Sequence, residues 1–173
     1  MRGSWMERAR AWGVLAGMAL LAGCSTGMED PFEDDAGWAA SGVAASEVAA
    51  VERLGFNDVI DGVRLENGAG TLELNDQLNQ ASQDYAEVLA ETPGELSHID
   101  AEGRGPGDRA AAAGYDYDYV AENLAYGPAT NEEAVEAWMD SPPHRRTMIN
   151  PDVDDLGLGR EGATWVMMVG RQN

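Results

Sequence analysis

The segment 130–150, TNEEAVEAWMDSPPHRRTMIN, constrains the fold most, because it contains a complete amphipathic helix. Thr130 predicts the N-cap of this helix, and Glu133, three residues later, completes a capping-box pattern. The apolar residues that recur at helical spacing and predict its buried face are Ala134, Val135, Trp138 and Met139. Trp138 is therefore expected in the core, packed together with Trp165 from a later apolar stretch.

Two prolines predict the end of this helix. Pro142 and Pro143 have no backbone N–H, and proline disfavours helical backbone in the residue before it. His144 follows directly and is one of only two histidines in the chain. Its restricted backbone suits a residue of a binding site, and it equally suits a cap on a short following turn.

The first 23 residues have the features of an export signal. Arginines at positions 2, 8 and 10 precede an apolar run over residues 12–22, which is too short to span a bilayer. The run ends in Leu-Ala-Gly-Cys at Cys24, and this ending resembles the lipobox of bacterial lipoproteins. Cys24 is the only cysteine, and lipidation would account for a single thiol in an exported protein. The alternative is an ordinary secretory signal followed by an unrelated cysteine.

This signal predicts where the protein is located. The mature chain would be exported and held at the bacterial membrane by a lipid on Cys24, and Ser25 favours the outer membrane if the host is Gram-negative. Residues 24–45 contain small and acidic residues without a sustained period, which predicts a flexible acidic tether. The folded domain is expected over residues 46–173.

The charge of the chain excludes one class of partner. There are 31 acidic and 11 basic residues, and the formal net charge is −20. Such a chain repels nucleic acid and anionic headgroups, so neither is an expected ligand. Two explanations of this composition remain open: adaptation to a saline habitat, or a genome rich in arginine codons combined with an acidic tether.

Residues 46–173 predict an α+β domain. Residues 46–67 suit a helix that is interrupted near Gly55 and Gly62, and Asn75 can cap a second helix. The apolar face of that second helix is expected to contain Leu78, Ala81, Tyr85, Val88 and Leu89. Residues 95–106 form a predicted loop, and residues 107–113 a short helix that ends at Gly114.

The rest of the domain predicts strands. Three tyrosines alternate with two aspartates over residues 115–119, as in an extended segment. Leu156 and Leu158 alternate with glycines, a turn follows at residues 160–163, and residues 165–169 form a continuous apolar run. This pattern predicts an antiparallel hairpin whose second strand is buried on both faces.

Three residues are candidates for a functional site: His98, Glu122 and His144. Two imidazoles and a carboxylate can bind a metal ion or transfer a proton. Separations of 24 and 22 residues match no compact metal motif, so a structural role for each residue is an open alternative.

The order of several short motifs resembles that of a known family. These motifs are Leu-Ser-His at 96–98, Ala-Glu-Asn-Leu-Ala at 121–125, Trp-Met-Asp-Ser-Pro-Pro-His-Arg at 138–145, Ile-Asn-Pro at 149–151 and Leu-Gly-Leu-Gly at 156–159. The chain is similar over residues 46–173 to bacterial CAP-domain proteins, also called SCP domains. This superfamily contains the cysteine-rich secretory proteins, antigen 5 and the plant pathogenesis-related proteins of the first group.

The resemblance implies a fold and a site. It implies an α-β-α sandwich with a small antiparallel sheet, and a shallow cleft in which His98, Glu122 and His144 meet. The second acidic residue of the fuller cleft corresponds to Ser141 in this chain, with Asp140 beside it. A metal such as zinc or copper would therefore need water or Asp140 to complete its coordination.

The family does not fix a function, because its fold carries several. The first hypothesis is a lipid-anchored envelope module that binds an unknown ligand, protein or divalent metal in the cleft without catalysis. The alternative is a metal-assisted hydrolase with Glu122 as general base. A purely structural surface domain is the third hypothesis.

Overall fold

The computed structural model describes residues 45–173, with side chains from Arg53 onward. The predicted signal peptide, Cys24 and nearly all of the predicted tether lie outside these residues. The helices are α1 (Ala45–Glu66), α2 (Asp76–Ala90), α3 (Pro106–Ala112), α4 (Asn131–Asp140) and α5 (Pro142–Met148). The strands are β1 (Glu73–Leu74), β2 (Tyr117–Tyr126), β3 (Asp155–Glu161) and β4 (Thr164–Gln172). Within the described range, no helix is long and apolar enough to cross a membrane.

Helix α4 begins and ends where the sequence predicts. The Thr130 hydroxyl accepts a hydrogen bond from the Glu133 backbone N–H at 3.2 Å, whereas the Glu133 carboxylate accepts from the Ala129 N–H at 2.7 Å. The prolines end α4, but they also occupy the first turn of α5, which the sequence analysis did not predict. Proline suits a first helical turn because the N–H it lacks would have no partner within the helix. His144 therefore lies on a helix.

Helix α2 is capped as predicted, and one residue of its predicted buried face is exposed. Asn75 Oδ1 accepts hydrogen bonds from the N–H groups of Gln77 and Leu78. The predicted residues that are buried are Leu78, Ala81, Tyr85 and Leu89. Val88 is 51% exposed, so its assignment to the core is wrong. It lies at the boundary of the apolar stripe, where helical spacing alone does not separate core from surface.

Helix α1 continues through both glycines that were expected to interrupt it. A glycine within a helix costs about 1 kcal/mol relative to alanine. Phe56 and Ile60 of the same helix are fully buried. Their burial offsets the cost of the glycines, because tertiary packing supplies most of the stability of helices in proteins.

The sheet has the strand order β1-β3-β4-β2. Strands β3 and β4 form the predicted antiparallel hairpin, and β2 pairs antiparallel with β4. The two-residue strand β1 pairs parallel with β3, so the sheet is mixed at this edge rather than purely antiparallel. Strand β2 extends to Tyr126, well past the predicted extended segment, and includes Glu122.

Helices cover both faces of the sheet, which confirms the α+β sandwich. On one face, α1, α4 and α5 enclose an aromatic core in which Phe56, Trp138 and Trp165 are buried together, as predicted for the two tryptophans. On the other face, α2 and α3 pack on Leu124, Val166 and Met168. We call this second cluster the α2 core.

Glycines in β3 allow α2 to approach the sheet closely. A Cβ atom on Gly157 would collide with the backbone of Leu78, and one on Gly159 with the backbone of Ser82. The neighbouring Leu156 and Leu158 point into the aromatic core. The Leu-Gly alternation of β3 therefore makes one face of the strand bulky and the other flat.

Side chains of α2 also bind the backbone of β3 beyond its short pairing with β1. Asn79 Oδ1 accepts from the Leu158 N–H at 3.0 Å, and Gln83 Oε1 accepts from the Arg160 N–H at 3.1 Å. These bonds satisfy backbone groups that a free edge strand would expose. The position of α2 against the sheet, and of the loop that follows α2, is fixed by these contacts.

Candidate functional site

His98 and Glu122 form the centre of the site. Glu122 lies on β2 with its side chain fully buried, and His98 lies in the loop between α2 and α3 with 52% of its side chain exposed. His98 Nδ1 is 2.8 Å from Glu122 Oε1. An ionised carboxylate only accepts hydrogen bonds, so Nδ1 carries the proton and Nε2 is left to face a ligand.

Arg109 completes the charge balance of Glu122. Its Nη2 donates to Glu122 Oε2 at 2.7 Å, so both carboxylate oxygens have a partner. Arg109 also donates to the backbone oxygen of Arg104 at 2.9 Å, and its guanidinium lies 3.5 Å from the ring centroid of Tyr85. The short helix α3 positions this side chain, which is only 7% exposed.

The sequence analysis did not identify Arg109. The one sequence signal is that Arg109 is the only basic residue of the alanine-rich helix α3; the burial of Glu122, which makes a cation necessary, is seen only in the structure. The choice between Arg109 and the nearby Arg104 depends on the tertiary arrangement. Arg104 pairs instead with Asp100 at 2.8 Å, close to the surface.

His144 approaches the same strand from the other side of the sheet. Asn123 follows Glu122 on β2, so its side chain points to the opposite face, where its Nδ2 donates to the His144 backbone oxygen at 2.9 Å. Asn123 is fully buried, and it was not recognised as a site residue from the sequence. Strand β2 is an edge of the sheet, so His98, which contacts Glu122, and His144, whose backbone contacts Asn123, both lie beside the same edge strand.

The two imidazoles have different environments. The hydrogen bond to Glu122 raises the pKa of His98 above its usual value. Burial lowers the pKa of His144, and the nearby charge of His98 lowers it further. His98 and His144 are thus within electrostatic reach of each other, although no hydrogen bond joins their rings in residues 45–173.

The geometry does not form a metal site with three protein ligands. Within the described part of the chain, no group of three histidine, cysteine, aspartate or glutamate side chains is arranged to hold a metal ion. Glu122 is already bonded to His98 and Arg109, and the exposed Asp140 does not complete such a group. The donors that remain are the two imidazoles.

Comparison with known proteins identifies the family. The model of the cysteine-rich secretory protein family, CAP, matches residues 58–167, which include all three predicted site residues. The chain belongs to the CAP family. The predicted relationship is therefore confirmed, and the two-sided α+β sandwich is its CAP fold.

Proteins similar to this chain occur in several bacteria. The uncharacterized protein YkwD of Bacillus subtilis is 28% identical over 124 residues, which is 70% of this chain and 48% of YkwD. This chain thus spans about half the length of that relative. The structure of an extracellular protein with an SCP domain from Bacillus anthracis aligns with a TM-score of 0.67 and 17% identity, over 75% of this chain and 44% of that one. An outer surface protein of Borrelia burgdorferi aligns with a TM-score of 0.62 and 26% identity, over 70% of this chain and 92% of that one.

Proposed function

We propose that this CAP domain is a non-catalytic binding module of the bacterial envelope, and that its ligand contacts His98 and His144 beside the edge of β2. The burial of Glu122 is the observation that supports this most directly. A general base must reach the water or substrate proton that it removes, but Glu122 has no exposed side-chain surface and both of its oxygens are bonded. Its position suits the orientation of His98.

The two histidines offer different chemistry to a ligand. With its raised pKa, His98 is protonated over a wider pH range and can donate from Nε2 to a carboxylate or carbonyl oxygen. With its lowered pKa, His144 remains neutral and can accept a hydrogen bond or bind a metal. A ligand with an acceptor oxygen therefore matches His98, and a zinc or copper ion would rely on the two imidazoles and water.

Titration with metal ions tests this proposal. Zinc chloride or copper(II) chloride, added to protein without an affinity tag, should bind by calorimetry and raise the Tm if the imidazoles bind metal. The metal affinity should decrease as the pH is lowered. Because the raised pKa of His98 favours its protonated form, His98 should begin to release the metal while the pH is still above 6.5. The variants His98→Ala and His144→Ala should each abolish binding, whereas Glu136→Gln on α4 should not change it.

The hydrolase hypothesis makes a different prediction. Turnover of an envelope peptide or ester that disappears in Glu122→Gln, while the fold is retained, would contradict a non-catalytic module. A third outcome would favour a purely structural role. In that case neither zinc nor copper binds or shifts the NMR resonances of the two histidines, and both His98→Ala and His144→Ala lower the Tm.

Export and anchoring belong to the same proposal. The N-terminal signal and Cys24 support it, and two proteins of similar structure are an extracellular protein of Bacillus anthracis and an outer surface protein of Borrelia burgdorferi. Cys24→Ser should move the protein from the membrane fraction to the soluble fraction. Equal membrane association of this variant would contradict the lipid anchor.

A further inference from the structure

A groove lies behind the histidine site, between α2 and the loop that follows it. The groove has a volume of about 480 Å³, and Tyr85 and Leu89 form part of its floor. Its rim carries three large apolar side chains that are unusually exposed: Val88 is 51%, Leu96 39% and Ile99 54% exposed. Single exposed apolar residues are ordinary, but three around one concave surface indicate a binding surface.

Acidic side chains without a cationic partner surround these apolar residues. Glu91 and Glu95 line the groove, and Asp84 lines an adjoining cavity of about 280 Å³ that shares Tyr85 and Val88 with it. Within residues 45–173, none of these three carboxylates takes part in an ion pair. The other acids of this surface, Asp100 and Glu102, are already paired with Arg104.

We propose that this groove binds a basic amphipathic peptide segment of a partner protein. Apolar side chains of the segment would cover Val88, Leu96 and Ile99, and its lysine or arginine side chains would pair with Asp84, Glu91 and Glu95. The charge selects this occupant, because anionic lipid headgroups and acidic peptides are repelled by the same carboxylates. An uncharged apolar ligand would gain nothing from the three exposed carboxylates, whereas a basic segment would be attracted by them.

The groove shares a wall with the histidine site but does not depend on it. Ser97 and Ile99 line the groove, whereas His98 between them turns the other way toward Glu122. The Tyr85 hydroxyl donates to the Ser97 backbone oxygen at 2.5 Å, which fixes this part of the wall to α2. A segment in the groove would contact both neighbours of His98, so the His98 resonance can report binding even if the imidazole binds nothing.

Calorimetry with a defined peptide tests the inference. The probe is a blocked five-residue peptide in which three lysines alternate with two leucines; in one reference peptide the leucines are replaced by serine, and in the other the lysines by glutamate. The lysine–leucine peptide should bind more tightly than both references, and its affinity should fall as salt is raised. Ile99→Ser should weaken it about tenfold by removing apolar contact area. The double variant Glu91→Gln/Glu95→Gln should also weaken it about tenfold.

Matched controls separate the groove from the general negative charge of the chain. Leu54→Ser removes an equally exposed leucine from α1, on the other face of the sheet, and Glu66→Gln/Glu136→Gln removes two exposed carboxylates elsewhere. Both controls should bind the peptide as the native chain does. If Glu66→Gln/Glu136→Gln weakens peptide binding as much as Glu91→Gln/Glu95→Gln does, the effect of charge is non-specific and the inference is overturned. Equal binding of the serine or glutamate peptide would overturn it as well.

Discussion

The two faces of the sheet bury different kinds of side chain. The aromatic core contains Phe56 packed edge-on against Trp138, with ring centroids 6.1 Å apart, and Trp165 at 6.3 Å from Phe56. The α2 core is thinner, because glycines bring α2 close to the sheet, and it encloses the ion pair of Arg109 and Glu122. The first face is filled with large apolar side chains, and its one buried cation in the described residues, Arg64, donates to backbone oxygens such as that of Met148. The second face contains a buried ion pair between two side chains.

The two faces therefore contribute differently to the free energy of folding and to the candidate site. Burial of aromatic area is favourable without any polar partner, so the aromatic core can stabilise the domain by itself. A buried ion pair has to recover the cost of losing water, and it adds little net stability when both partners are present. The Arg109–Glu122 pair is therefore better explained by its effect on His98 than by a contribution to folding.

The largest expected effect is on the aromatic face. Trp138→Ala should lower the free energy of unfolding by about 3–5 kcal/mol, because it opens a cavity beside Phe56 and removes the hydrogen bond from Nε1 to the Leu124 backbone oxygen. Trp138→Phe is the control, since it retains much of the packing and should cost less. Urea unfolding gives both values, and an unchanged midpoint for the alanine variant would place Trp138 outside the core.

The next effect tests whether the charge pair on the other face is replaceable. Arg109→Met should cost about 3 kcal/mol, because it leaves the fully buried Glu122 without its cation. The double variant Arg109→Met/Glu122→Leu should recover most of this loss, since it removes both charges and leaves no unpaired ion in the α2 core. If the double variant is no more stable than the single one, the pair itself contributes to folding and the contrast between the faces is smaller than stated.

A single methyl group added to β3 should be enough to disturb the close packing of α2 on the sheet. Gly159→Ala should cost about 1–3 kcal/mol, because its Cβ would collide with the Ser82 backbone and push α2 from the sheet. Gly62→Ala in α1 is the control: open space surrounds it, so it should stabilise the helix by about 0.5–1 kcal/mol. Thermal unfolding should thus shift in opposite directions for the two substitutions, and a shift in the same direction would argue against tight packing of α2.

The smallest effect is the pH dependence of the two histidines. The raised pKa of His98 means that its contribution to stability is fully present below about pH 6.5 and is lost as the pH rises through the higher value in the folded state. His144 has the opposite sign: its contribution is present above about pH 6.5 and is lost as the pH falls through its lowered pKa. Imidazole proton NMR should show two separate titrations, assigned with His144→Ala.

Glu122→Gln gives the control for this titration. It should move the pKa of His98 back toward 6.5, because the glutamine carries no charge, and should leave the pKa of His144 nearly unchanged. If the two histidines of the native chain titrate together, Glu122 does not set the protonation of His98 and the assignment of distinct roles is wrong.

Local signals predicted the elements of the fold well. The Thr130 cap, the Asn75 cap and the Leu-Gly alternation of β3 each depend on residues that are close in sequence, and all three are present in the structure. The errors occurred where packing overrides a local preference. Gly62 does not interrupt α1 because the core holds the helix, and Val88 is exposed although its spacing suits the buried face.

By itself, the sequence determined the amphipathic helices, the hairpin, the family motifs and the three candidate residues, because helix periodicity, capping and turns are properties of neighbouring residues. Only the tertiary structure decided how those candidates are arranged. It showed that Glu122 is fully buried between His98 and Arg109, and that His144 is held through Asn123 on the opposite face of β2. Burial and the identity of an ion-pair partner depend on which distant segments pack against a residue, and no local pattern specifies that.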